Sequence, residues 1–359
     1  MTVDARLMTA TRPTTSARTL RAALLALAAF TLVVVCPPNG LARPLFLALG
    51  SVLSAGAIGA IGIVVSVGIV LVAHANTWRL TSLDRRALTV GYLAGIVGYL
   101  VLALNADPSP AAGGPYRDAW TYYGLGVGDP YAVTYQQGGS GYPPPLLQVT
   151  GALSVVGWPA FLALWSTLEL LALRLVAGPL AAIVLLIPFV ALEVWEANIN
   201  LLLALAIVWS FRWPGTWSFV AVTKITPAVG VLWFAVRREW RSLAIALGVT
   251  ALIVVVSVGL DAGMWQRWLD ALRTSTEGAS PGTEVAVRTL LAALLVVFGA
   301  RWDRPALVPI AAAVATPYLW LAAASILVAV IPLARSARDS RPWYRAVDWA
   351  RRPGPFGRG

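Results

Sequence analysis

The sequence predicts an all-α, polytopic integral membrane protein, a helical bundle with broken or re-entrant helices and one long extracytoplasmic loop. Three observations carry that expectation. The chain of 359 residues is 58% hydrophobic and 12% charged, where a soluble domain carries about 25% charged residues. Apolar runs of the length that crosses a hydrocarbon core of about 30 Å recur from residue 22 to the 330s. Arginines gather at the ends of those runs, most of them on one side, which is the pattern that sets orientation in a membrane.

The net charge of +11 belongs to that pattern. In a soluble protein it would suggest nucleic acid; here it reports cytoplasmic flanks, with contact to anionic lipid headgroups, and no nucleic-acid partner is expected. One cysteine, Cys36, and one histidine, His74, leave no intramolecular disulfide and no multi-Cys or His-cluster metal site. No metal and no cofactor are expected.

Along the chain, residues 1–20 are polar and rich in Ser, Thr and Arg, a cytoplasmic start. Residues 22–36 form a first span: no A-x-A-like cleavage site follows, and further spans do. A second span covers 45–73, with small residues at four-residue spacing (Ala55/Gly59, Gly62/Ser66) suited to close helix packing. Arg79, Arg85 and Arg86 precede a third span at 87–106. The alternation then puts 107–143 outside. The chain re-enters at 144–157, breaks at Gly157-Trp158-Pro159 and continues to Arg174. Spans at about 178–195 and 199–211 follow.

Two segments resist reading as single crossings. Residues 213–236 and 305–333 each have arginine at both ends and a central Thr-Pro, Thr226-Pro227 and Thr316-Pro317, where proline breaks a helix. Each half is about 11–16 residues, roughly 16–24 Å at the helical rise, too short to span. Both are expected to be hairpins that enter from the cytoplasm and turn inside the protein, which broken helices do only where protein or a cavity surrounds them. A span at 241–260, an outer loop at 261–283 and a span at 284–300 complete the bundle. Within that loop MWQRWLDAL (264–272) reads as an amphipathic helix lying in the interface.

Chemistry concentrates in three places. The stretch RDAWTYYGLGVGDPYAVTYQQGGSGYPPP (117–145) is rich in Tyr, Gly and Pro in an otherwise aliphatic chain. Its Asp118 reads either as a helix cap among interfacial aromatics or as a general base beside rings shaped for sugars. Lys224 is the only lysine and lies about twelve residues from either basic flank, too deep to snorkel easily. A buried ammonium is costly and points to a function and a partner; a flexible cation at a broken helix suits a lipid-linked phosphate. Glu193, Glu196, Asn198 and Asn200 cluster at an outer helix junction, where the asparagines cap the next span or bind a polar ligand. There is no Gly-rich phosphate loop and no Ser/His/Asp arrangement.

Asp118-Ala-Trp-Thr-Tyr-Tyr, Asp129-Pro-Tyr131 and Tyr142-Pro-Pro-Pro-Leu-Leu resemble the first outer loop of glycosyltransferase family 87, membrane mannosyltransferases of the GT-C fold found notably in actinobacteria. Ala197-Asn198-Ile-Asn200-Leu-Leu-Leu is similar to that family's Gly-Gln-x-Asn-Leu-Leu, and Thr223-Lys224-Ile-Thr-Pro227 to its Leu-Lys-Pro-x-Pro. The resemblance covers about 87–335. Asn198 stands where the family often has Gln, and Leu-Ala-Ala-Ala follows Trp320 where many members have histidine. The resemblance implies a polyprenyl-phosphate sugar donor, mannose or arabinose, and a glycan or glycolipid acceptor at the outer face. It implies Asp118 as general base, Lys224 on the donor phosphate, and Trp120, Tyr122, Tyr123, Asp129, Tyr131, Tyr142, Asn198, Asn200 and Trp320 around sugar and acceptor. Transfer would be inverting and metal-independent.

The expected organisation is a cytoplasmic N-terminus with two extra spans (1–86), a GT-C-like core (87–335) and a basic cytoplasmic tail (336–359), all in the cell membrane. Two rival readings are a lipid or sugar transporter, since broken helices also build transport sites, and a non-catalytic partner in cell-envelope glycan assembly.

Overall fold

A computed structural model of the chain describes residues 81–105, 116–124, 128–133, 139–276, 281–317 and 321–336. The expected spans at 22–36 and 45–73, Trp320 and the basic tail beyond 336 lie outside them. The described secondary structure is helical throughout, as the composition predicts.

Helix α1 (Ser82–Leu104) carries Asp84 in its first turn, whose carboxylate accepts the Thr81 backbone N–H at 3.0 Å and hydroxyl at 2.6 Å. Its 23 residues extend about 34 Å at 1.5 Å each, enough to span. After α2 (Arg117–Tyr123) and α3 (Pro144–Leu153), a 3-10 turn ends at Gly157, whose φ of 81° is accessible to glycine at little cost. This is the break expected there. Helix α4 (Trp158–Ala177) follows and runs antiparallel to α1. Three polar contacts join the pair: Arg174 donates to Thr89 Oγ1 at 2.8 Å, Tyr92 to the Leu170 carbonyl at 2.9 Å and Tyr99 to Ser166 Oγ at 3.0 Å. Such interhelical bonds hold a membrane bundle together at roughly 0.6 kcal/mol apiece.

The single span expected at 178–195 is instead broken. Gly178 takes φ 64°, ψ −141°, a 3-10 turn and the short α5 (Ala181–Val184) follow, and the chain leaves helical geometry at Ile187 before Pro188 opens α6 (Pro188–Glu196). Proline removes the ladder N–H and biases the preceding residue towards extended backbone. Between α6 and α7 (Asn200–Ser210) the axis bends by 110°. Ala197 sits at the bend with φ 49°, an uncommon conformation for a residue with a side chain.

Both Thr-Pro segments are broken as expected. Helix α8 (Trp217–Thr223) stops before Lys224, which is extended (φ −139°, ψ 104°); a 3-10 turn over Thr226–Val231 then leads to α9 (Leu232–Val236). The ring of Pro227 would clash with the carbonyl four residues back, at Thr223, so the helix ends there. The two limbs touch: a Cβ on Gly230 would lie 2.1 Å from the Trp217 indole, so glycine is required for the limbs to meet. The spans α10 (Trp240–Leu260) and α12 (Pro281–Arg301) flank α11 (Ala262–Thr276). Asp261 caps α11 by accepting the Met264 N–H at 2.8 Å. The second hairpin consists of α13 (Leu307–Val314), a 3-10 stretch over Leu321–Ala329 and α14 (Val330–Ser336). Arg288 on α12 donates to the carbonyls of Thr316 and Pro317, 2.8 Å each, and so satisfies the acceptors the break exposes. Helices α4, α10 and α12 are long and apolar enough to cross a membrane, and α10 buries little of its surface in the chain, as a lipid-facing helix would.

Candidate functional site

Three chain breaks meet at one end of the bundle: the start of α2, the bend between α6 and α7, and the interruption at Lys224. Helix α2 is anchored there by the Tyr116 N–H, which donates to the Trp195 carbonyl at 2.9 Å. Trp165 of α4 donates its indole N–H to the Ala197 carbonyl at 3.0 Å, bracing the bend from beneath. Asp118 lies one residue inside α2, in its first turn, and does not cap it.

Asn198 joins the first pair of elements. Its Nδ2 donates to Asp118 Oδ2 at 2.5 Å. Its Oδ1 accepts the Ile199 N–H at 2.7 Å and faces the hydroxyls of Tyr122 and Tyr142 at 3.2 and 3.5 Å. Those hydroxyls are 2.9 Å apart. The acceptor side of the amide is thus fully engaged, which fixes its donor side on the carboxylate.

Asn200 joins the second pair. Its Oδ1 accepts from Lys224 Nζ at 2.7 Å, and its Nδ2 donates to Glu193 Oε2 at 2.8 Å. Glu193 Oε1 accepts the backbone N–H groups of Asn200 and, at 3.3 Å, Leu201. The cap of α7 is therefore a carboxylate from the preceding helix, placed on orphan donors at the positive end of the helix dipole; the asparagines, the default caps by sequence, are used elsewhere. The Lys224 ammonium also lies 5.8 Å from the centre of the Tyr142 ring.

Accessibility divides these groups in two. Asp118, Lys224, Tyr142, Trp120 and Tyr123 are half-buried, whereas Glu193, Asn198 and Asn200 are buried. The first set can meet a ligand, and the second holds it in place. Burial raises the Asp118 carboxyl above its ordinary range, opposed by the charges of Lys224 and Arg117 and by the Asn198 hydrogen bond.

The loop residues form a clasp beside this centre. Asp129 accepts the Tyr131 N–H at 3.0 Å and pairs with Arg267 of α11 at 3.1 Å. Tyr131 donates to the Tyr142 carbonyl at 2.6 Å, and Trp268 donates to the Gly141 carbonyl at 3.3 Å. Burial, then the charge of Asp129, raises the Tyr131 phenol, so it serves as a neutral donor. Asp129 and Tyr131 thus fasten Tyr142 in place. Trp120 and Tyr123 pack on Trp158 at 5.0 and 5.4 Å, an aromatic wall against the start of α4.

Two functional features escaped the sequence. The cap and brace made by Glu193 needs the 110° bend, which no local signal announces. Glu169 of α4 is fully buried, and neither carboxylate oxygen has a hydrogen-bond partner. It lies one turn from Trp165 and within electrostatic reach of Glu193 and Asp118; its signal was an acid in the middle of an apolar span. Among the described residues no group of three or more His, Cys, Asp or Glu could hold a metal ion.

The family model of glycosyltransferase family 87 matches residues 141–348, more than half of the chain. The match contains Tyr142, Glu193, Asn198, Asn200 and Lys224; Asp118 and the rest of the loop precede it. No curated protein and no solved structure matches.

Proposed function

The chain belongs to glycosyltransferase family 87 and is a membrane glycosyltransferase, and on that premise we propose that it moves a mannosyl or related residue from a polyprenyl-phosphate donor to a hydroxyl of a glycan or glycolipid at the extracytoplasmic face. One observation supports this reading above the others. A half-buried carboxylate, Asp118, and a half-buried ammonium, Lys224, are held by two asparagines only two positions apart, Asn198 and Asn200. A base for the acceptor and a cation for the donor phosphate thus share one bend in the chain.

The chemistry follows from those two charges. Lys224 receives the donor phosphate, with Asn200 fixing where the ammonium points. The acceptor hydroxyl gives its proton to Asp118 as its oxygen attacks the anomeric carbon. The bond from that carbon to the phosphate oxygen breaks, and its electron pair leaves with the polyprenyl phosphate. A phosphate is already a good leaving group, so one carboxylate suffices where a glycosidase needs two. Attack opposite the leaving group inverts the anomeric centre. Asn198 engages Oδ2 of Asp118 and so presents the other oxygen for the proton. Trp120, Tyr123 and Tyr142 supply apolar faces and hydroxyls for the sugars, whereas Tyr122, expected to do the same, is fully buried and acts only through its 2.9 Å bond to the Tyr142 hydroxyl; Asp129 and Tyr131 contribute through the loop clasp.

The test is transfer from radiolabelled polyprenyl-phosphate mannose, by the purified chain, to a panel of glycolipid and oligomannoside acceptors. Labelled product is expected, with Lys224→Met raising the donor KM by at least tenfold, about 1.4 kcal/mol. Lipid movement without labelled product would favour a transporter and contradict the assignment.

A further inference from the structure

We propose that Glu193 is a positioning residue whose charge makes this site hold a singly charged phosphodiester and expel the doubly charged phosphate monoester that transfer leaves behind. The inference rests on the proposed function and adds a rule for which phosphate stays.

Glu193 does more than cap a helix. A cap requires only the backbone bonds to Asn200 and Leu201, both made by Oε1. The second oxygen, Oε2, is used on the Asn200 side chain at 2.8 Å. Because that bond engages Nδ2, it turns Oδ1 of Asn200 outward to Lys224 Nζ at 2.7 Å. The buried carboxylate therefore sets the position of the half-buried ammonium through one intervening amide.

The charges around that ammonium are uneven. Lys224 lies within electrostatic reach of Glu193, Asp118 and Glu196, and Glu193 in turn of Asp118. A second cation among the described residues, Arg117, acts on Asp118 and is exposed. With several carboxylates set against one ammonium, a ligand of charge −2 meets about twice the repulsion that a ligand of charge −1 meets. In a partly dry site such differences are large compared with water.

Transfer changes the ligand from one class to the other. The donor phosphodiester carries one negative charge. After the bond to the anomeric carbon breaks, the polyprenyl phosphate is a monoester, and with a second pKa of about 6 it is a dianion at neutral pH. The acceptor proton rests on Asp118, then passes to solvent, so Asp118 regains its charge beside the product. Glu193 stands behind Asn200 and never touches the reacting atoms. Its repulsion favours departure of the product while donor binding, at −1, is retained.

The experiment compares binding of two ligands to the full-length protein in lipid nanodiscs at about pH 8, above the second phosphate pKa: a short-chain prenyl-phosphate mannose and the prenyl phosphate of the same chain length. Wild type is expected to bind the diester about tenfold or more tighter than the monoester. In Glu193→Gln the monoester should gain affinity until the two ligands differ by less than about threefold. Glu193→Asp, which keeps the charge and shortens the reach, should weaken both and leave their ratio as in wild type. A residue that only supported the fold would move both affinities together in every variant. Equal affinity for the two ligands in wild type overturns the inference even if no variant folds, as does an unchanged ratio in a folded Glu193→Gln. Failure of wild type to bind either ligand overturns the functional reading and the inference with it.

Discussion

Asn198 and Asn200 show how little of a site is visible one residue at a time. Both were expected to cap a helix or touch a ligand; each divides its amide between a buried anchor and a half-buried charged group. Replacing Asn198 by Ala frees the Asp118 carboxylate and should lower the transfer rate roughly 10–100-fold, comparable to the loss of other groups that orient a reactive side chain, with donor affinity unchanged; steady-state kinetics separate the two. Asp118 also carries a pH signature. Burial raises its pKa and the charges of Lys224 and Arg117 lower it, and the base works only when ionised. The rate should therefore fall as pH drops through that raised value, and Arg117→Gln, which removes one of the lowering charges, should move the acid limb to higher pH while leaving the plateau in place. A limb that stays put or moves to lower pH would dissociate Asp118 from the rate. Glu169 behaves in the opposite way to a satisfied acid: both its oxygens lack partners in the buried interior. An unsatisfied buried polar group costs about 1–3 kcal/mol, so Glu169→Leu should raise the thermal unfolding temperature in detergent, and a fall would mean that the carboxyl has a partner in the folded protein.

Among the elements, the breaks were legible and the bends were not. Thr226-Pro227, Thr316-Pro317 and Gly157-Trp158-Pro159 each announce an interruption through a specific steric fact, the proline ring against a carbonyl or a glycine at positive φ, and each occurs where expected. The run at 178–195 misled because its composition is uniformly apolar: hydropathy sees a span, whereas Gly178 and Pro188 divide it. The 110° turn at Ala197 has no glycine or proline to mark it; it is imposed by Trp165, Glu193 and the packing of α7. Glu193 as a remote cap is invisible for the same reason. The hairpins make their own demands. Gly230→Ala places a Cβ inside the Trp217 ring and should cost about 1–3 kcal/mol as an overpacked core does, seen as a lower unfolding temperature. Arg288→Met abandons two carbonyls at the second break and should cost about 2 kcal/mol by the same assay.

For the whole molecule, composition and arginine placement sufficed for an all-α membrane protein, and four short motifs in order sufficed for the family. The family model confirms the family over 141–348, shifted towards the C-terminus from the 87–335 expected, so Asp118 stands on its geometry alone. That geometry brings Asp118 and Lys224, distant by 106 positions in sequence, to a shared bend. The central claim is that these two charges divide one reaction between acceptor and donor. It is tested most directly by single-turnover transfer from donor pre-bound to wild type and to Asp118→Asn, with donor affinity measured on the same samples. Donor should bind both proteins alike, while the transfer rate of the variant falls by about 10²–10⁴, the usual contribution of a general base. Equal transfer rates in the two proteins would contradict the account.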